Sequence, residues 1–287
     1  MLASAHYLSR DYAGAERPLL NLSESKRASA EQRAAAAYGL CGVYEKTKNT
    51  VEQLRFALWL RGAVPKGYFG GEIPVYFALS GWDLGLLLDA EAPVETLREF
   101  ISRYPDARDL RLVKYALAVR RSRENQYEEA AQIYESIHAV VRAPRTRQLA
   151  MLYHEAKRSD LPPAQKLDAQ YQLADFLASN PARIYFNDTL WYGLQRYALD
   201  AAHDSRLTRD ERQALVAGER KLKDEQEERW RAYMILRDVI PEAGKTDLGR
   251  KAAQLAIRCL RGINSDRFGR EKEIREADIE LSGWLRQ

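Results

Sequence analysis

The side chains in this sequence that could do chemistry are two cysteines, four histidines, some clustered glycines and arginines, and a scatter of aromatic residues. His6, His138, His154 and His203 stand too far apart for metal-ligand spacing, and neither HExxH nor paired CxxC occurs. They are read as surface or groove residues. Cys41 and Cys259 each fall mid-way along an apolar helical stripe, where a thiol serves as a small hydrophobe. Two cysteines in a chain of this length imply no disulfide framework. Gly67, Gly70 and Gly71 lack the Lys-Ser/Thr pair that completes a phosphate loop, and no strand pattern precedes them. No GxSxG nucleophile turn occurs either. The residues point away from catalysis, from a metal and from a cofactor, so the chain is read as non-catalytic.

Binding is the chemistry that remains. Arginine is dense at Arg120, Arg121 and Arg123, and again at Arg142, Arg145 and Arg147. Guanidinium groups suit phosphate or carboxylate partners. Glu124, Glu128 and Glu129 are interleaved with the first cluster, however, so pairing along a solvated helix end is the expected outcome. The same interleaving argues against a nucleic-acid surface, which would segregate its charge. With 45 basic and 41 acidic residues the formal net charge is only +4, which permits contact with an anionic surface without demanding it. Tyr185, Phe186, Trp191, Tyr192 and Tyr197 crowd the segment after Pro181. They are read mainly as core, with a ledge for a partner side chain as the alternative.

The elements that must position these residues are helices. Apolar residues recur three and four apart, Gly and Pro fall between the periodic segments, and alternating Val/Ile/Thr runs are missing, which excludes a large sheet. Residues 112–137 are the clearest unit. Tyr115, Leu117, Ala118 and Val119 mark one helix, and Tyr127, Ala130, Ala131, Tyr134 and Ile137 a second, joined by the polar turn 123–126. Helices this short need neighbours to be stable, so the unit is expected to stack in an array. No run of 18 or more apolar residues is present to span a bilayer.

The unit 112–137 resembles a tetratricopeptide repeat, a helix-turn-helix of 34 residues. Leu40, Cys41, Tyr44 and Pro65 take its key positions in one further unit. Gly81, Leu84, Leu97, Phe100 and Pro105 do so in another. The resemblance covers residues 1–142 well, with the first repeat starting late. From that late start the chain is read as a fragment, a domain or a processed form. The resemblance is to bacterial envelope-type members, and a lost upstream signal sequence would fit a periplasmic location. It implies an all-α, right-handed helical-hairpin solenoid of about 14 helices in seven pairs. A divergent helical region is expected over 143–287, with one long helix over about 208–240 and a polar-faced capping helix over about 270–286.

In such arrays the first helix of each pair faces a concave groove. The resemblance puts Tyr38, Trp82 and Tyr115 on that face as apolar anchors, with Lys46 and Arg123 selecting acidic character. The function expected is a scaffold or adaptor that binds a peptide or helix of a partner protein. Two alternatives stand beside it: a regulatory helical part of a larger enzyme or signalling protein, and a binder of nucleic acid or an anionic surface.

Overall fold

The computed structural model describes residues 9–63, 84–85, 87–179, 183–187, 208–210, 213, 217, 224–263 and 270–287. Among these residues there is no strand, and the elements are α-helices with one short π-helical turn, Leu87–Glu91. The chain divides into two compact units, Met1–Leu117 and Ala118–Gln287. Within each, helices that follow one another pack side by side. Among the described residues no helix is long and apolar enough to cross a membrane.

Unit 1 contains α1 (Tyr12–Glu24), α2 (Ala30–Lys46), α3 (Thr50–Ala63) and α4 (Val94–Arg103); α5 (Leu110–Arg123) runs through the boundary into unit 2. The ends of these helices are set by local polar chemistry. Asp11 caps α1 by accepting from the Gly14 N–H at 2.9 Å. Ser29 and Gln32 form a reciprocal capping box on α2, at 3.1 and 2.9 Å. Lys48 takes a left-handed conformation (φ 61) to turn α2 into α3. Ala34, Ala37 and Leu40 then meet Phe56 and Leu60 across a tight hairpin, with Leu19 and Leu20 of α1 closing the cluster. Tyr44 stacks on Phe56 at 5.9 Å and donates to the Glu16 carboxylate at 2.9 Å. Burial and that carboxylate push the Tyr44 pKa up. Pro18, which is expected to kink α1 or delay its start, lies inside it, and the helix already begins at Tyr12.

Unit 2 contains α6 (Tyr127–Ser136), α7 (Arg142–Lys157), α8 (Pro163–Ser179), α9 (Glu228–Ala243), α10 (Asp247–Gly262) and α11 (Glu271–Arg286). Arg121 of α5 pairs with Glu124 and Glu129 across the turn before α6, as expected of it, but its side chain is largely buried, and Arg123 of the same cluster is buried on a backbone carbonyl instead. Ala252, Ala253, Leu255, Ala256, Cys259 and Leu260 form the buried stripe of α10. Cys259 is 1% exposed, and burial raises its thiol pKa to about 11, as suits a packing residue and not a reactive one. α11 buries Ile274 and leans Leu281, Trp284 and Leu285 on the core, while the Lys245 ammonium lies 3.7 Å from the Trp284 ring centre.

The helix expected over about 208–240 does not run unbroken through the described residues. Glu227 has extended backbone (φ −86, ψ 102), its carboxylate accepts from the Arg229 N–H, and α9 starts at Glu228. Residues 219–229 offer a helix almost nothing apolar to bury, so a side chain bonding its own backbone wins locally. At the other end α9 runs past Ile240, through Pro241, to Ala243. The backbone bond lost at Pro241 would have gone to the carbonyl of Arg237, an exposed residue, so water can replace it.

A candidate binding pocket in unit 2

Residues 183–187, Arg-Ile-Tyr-Phe-Asn, are irregular backbone; Arg183 is exposed, but Phe186 is buried inside unit 2 and Ile184, Tyr185 and Asn187 are closed to solvent. Buried loop backbone needs hydrogen-bond partners, since its carbonyls have no ladder or helix to satisfy them. Arginines supply them here. Arg123 Nε donates to the Tyr185 carbonyl at 2.9 Å, and Arg142 Nη2 to the Phe186 carbonyl at 3.0 Å. The Tyr127 and Tyr185 hydroxyls share a bond of 2.8 Å. Arg231 lies flat over the Tyr185 ring, 4.1 Å from its centre, and donates to the carbonyls of Glu225 and Arg123 and to Asn125 Oδ1. A guanidinium has five donors in one plane, which lets a single side chain tie three chain segments together.

Glu228, the first residue of α9, completes the clasp. Its carboxyl accepts from the Ile184 N–H, and its Oε1 is closed to solvent without a hydrogen-bond partner among the described residues. Burial raises its pKa to about 8, against the opposing pull of that N–H and of Arg142 and Arg183. A folded pKa above the unfolded one means that the folded state holds the extra proton. The carboxyl's contribution is therefore intact at pH 4 and is lost as pH rises through about 8. Glu228→Gln should remove that dependence. In urea titrations at successive pH values, the variant should gain on the parent by about 1–2 kcal/mol between pH 5 and 8. The residue keeps part of its surface in water, so the gain is smaller than the full shift implies. A constant difference across that range would refute the buried-acid assignment.

Beside the clasped loop lies a cavity of about 440 Å³. Its deep part is apolar, from Ala156, Leu173 and Leu177, each under a tenth exposed. Tyr153 and Tyr127 meet edge to face at 5.1 Å on one side, and half-buried Met234 and Ile235 contribute from α9. Trp230 also lines it, with the Arg270 guanidinium 4.8 Å from its ring; Arg270 is in turn held by Asp224 at 2.9 Å and by Glu273. The edge carries Lys157 and Asp238, both exposed. The Lys157 ammonium sits 5.7 Å from the Tyr153 ring and has no carboxylate partner among the described residues. Asp238 lies 4.0 Å from the guanidinium of its neighbour Arg237. Oily walls with a few polar groups at the edge suit an apolar side chain whose attached backbone stays wet.

The groove candidates read from the sequence do not gather here. Tyr38 is half-buried against the unit 1 core, and Lys46 is exposed and paired with Glu45 at 2.7 Å. Tyr115 is 9% exposed, on the unit 1 part of α5. Trp82 lies outside the described residues, as do Trp191, Tyr192 and Tyr197. Arg123, at 7% exposed, is committed to the Tyr185 carbonyl, while Tyr185 and Phe186 are core, the main expectation for that aromatic run. The sequence reading did not single out Tyr153, Lys157, Met234 or Asp238. Tyr153 and Lys157 share a helix face at i,i+4, which is the signal that could have found them. Among the described residues, no group of three or more His, Cys, Asp or Glu side chains is placed to hold a metal ion. Comparison with protein-family models, with curated proteins and with solved structures finds no match.

Proposed function

We propose that this protein is a non-catalytic, tetratricopeptide-like adaptor, and that unit 2 anchors an extended segment of a partner protein by an apolar side chain in the Tyr153–Met234 pocket. The observation that carries this is the cavity itself: apolar depth, aromatic walls and an edge that carries the exposed Lys157 and Asp238. The all-helical build, with successive helices packed as neighbours, supports the repeat-like part. Tyr115 and Arg123 keep little surface for a partner, which favours unit 2 over the face inferred from sequence.

Selection from a random peptide library on the full chain, followed by calorimetry on the enriched peptides, tests the proposal. Enriched peptides should share an apolar residue with an acidic neighbour. They should lose about tenfold or more in affinity on Tyr153→Ala, with Lys157→Glu reversing the preference for acidic flanks. Peptides indifferent to both variants, or no enrichment at all, would overturn it. Loss on Tyr38→Ala or Trp82→Ala with Tyr153→Ala silent would return the partner to the first-helix face of unit 1.

A further inference from the structure

Unit 1 holds a second cavity of different chemistry, about 420 Å³, where the C-terminal ends of α1 and α4 and the middle of α3 meet the link 104–108. Arg55, Arg103 and Arg108 all line it, together with Trp59, whose side is open enough to leave the residue 39% exposed. From this convergence we propose that unit 1 binds a mononucleotide, a planar base on Trp59 with its phosphate on the guanidinium groups.

Each of the three arginines has a partner within unit 1. Arg55 and Arg103 share the nearly buried Glu52 carboxylate, each at 3.2 Å, and the Tyr104 hydroxyl donates to the same carboxylate. Arg55 also lies 5.1 Å from the Phe56 ring centre, and Arg103 lies 5.4 Å from that of Tyr104. Arg108 crosses the C-terminal end of α3 and donates to the Gly62 carbonyl at 2.8 Å. A Cβ at position 62 would stand 2.8 Å from Arg108 Cδ, so a larger residue there would push this flexible side chain aside. Arg55 and Arg103 are thus offset by Glu52 and, at 3.9 Å from Arg55, by Glu24, while the partner of Arg108 is a neutral carbonyl. Planar guanidinium groups favour a phosphate by paired N–H bonds, and an exposed indole favours a stacked base.

The edge of the cavity limits how much anion it can take. Glu24 and Asp106 are exposed there, with Glu24 only 3.9 Å from Arg55. Carboxylates in that position accept from ribose hydroxyls or an exocyclic amine. They repel the successive phosphates of a nucleic-acid strand and the acids of a long acidic peptide. A cavity of this size also falls in the range of small-ligand sites, about 300–1,000 Å³.

Calorimetry of the full chain with adenosine 5′-monophosphate, adenosine, inorganic phosphate and O-phosphotyrosine decides the matter. The nucleotide should saturate one site at least about tenfold more tightly than adenosine or phosphate alone, because ring and anion are both recognised. Trp59→Ala and Arg108→Ala should each weaken it about tenfold, with Arg108→Lys between, since the charge survives but the fork does not. Circular dichroism should show the helices intact in all three. Tyr153→Ala should leave nucleotide binding unchanged, so this result stands or falls apart from the peptide pocket of unit 2. No saturable binding, equal binding of phosphate alone, tighter binding of phosphotyrosine, or indifference to both alanine variants would overturn the proposal.

Discussion

Tyr185→Ala is expected to destabilise unit 2 by about 4 kcal/mol, the range for emptying a fully buried aromatic site. The ring is closed to solvent, and it meets Tyr127 at 6.3 Å between centres and the Arg231 guanidinium at 4.1 Å. Removing it opens a cavity and takes away the face on which Arg231 rests. It also strands a buried stretch whose carbonyls are held by Arg123 and Arg142. Tyr185→Phe separates these effects. It keeps the ring and the cation contact and removes only the 2.8 Å hydroxyl bond to Tyr127, so about 1 kcal/mol should be lost. Two compact units allow two unfolding transitions in urea, and the step assigned to unit 2 alone should move. Equal losses for both variants would mean that the hydroxyl bond, and not ring burial, holds the loop.

The same loop shows what the sequence could and could not disclose. Helices came through because their signal is local: the stripes of α2, α6 and α10 repeat within a few residues, and small residues mark where neighbours approach. Arg123 and Arg142 were misjudged for the opposite reason. In sequence they read as members of charged clusters, and nothing nearby says that their partners are carbonyls at positions 185 and 186. A buried arginine whose acceptor is a distant backbone atom looks like a surface arginine until the chain is folded. The pocket suffers likewise, because α8 packs on α9 across the long intervening stretch 180–227. Periodicity assigns Trp230 and Met234 to a helix without telling which helix they face. Glu227 marks a third limit. One long helix is expected there from the sequence, but the backbone is extended at Glu227, whose carboxylate accepts from the Arg229 N–H.

Gly249→Ala is expected to cost at least about 3 kcal/mol, an unusually large effect for one added methyl group. The α9–α10 turn explains why. Gly244 ends α9 with φ 58 and ψ −146, a backbone region that side chains exclude, and its N–H returns to the Ile240 carbonyl at 3.0 Å. The turn then folds back so tightly that the Gly244 carbonyl oxygen would lie 2.0 Å from a Cβ at position 249. That obstacle is backbone, so no rotamer change relieves it. Relief requires the turn to open or α10 to withdraw from α9. Withdrawal would open the stripe in which Ala252, Ala253 and Ala256 meet their neighbours, the densest packing in unit 2. Gly283→Ala supplies the opposite case. Gly283 lies within α11, a Cβ there would meet nothing within 4 Å, and alanine should stabilise that helix by about 0.5–1 kcal/mol. Thermal melts of the two variants should therefore shift in opposite directions. A tolerated alanine at 249 would mean that α9 and α10 can part without loss, and that the close helix hairpin is not what holds unit 2 together.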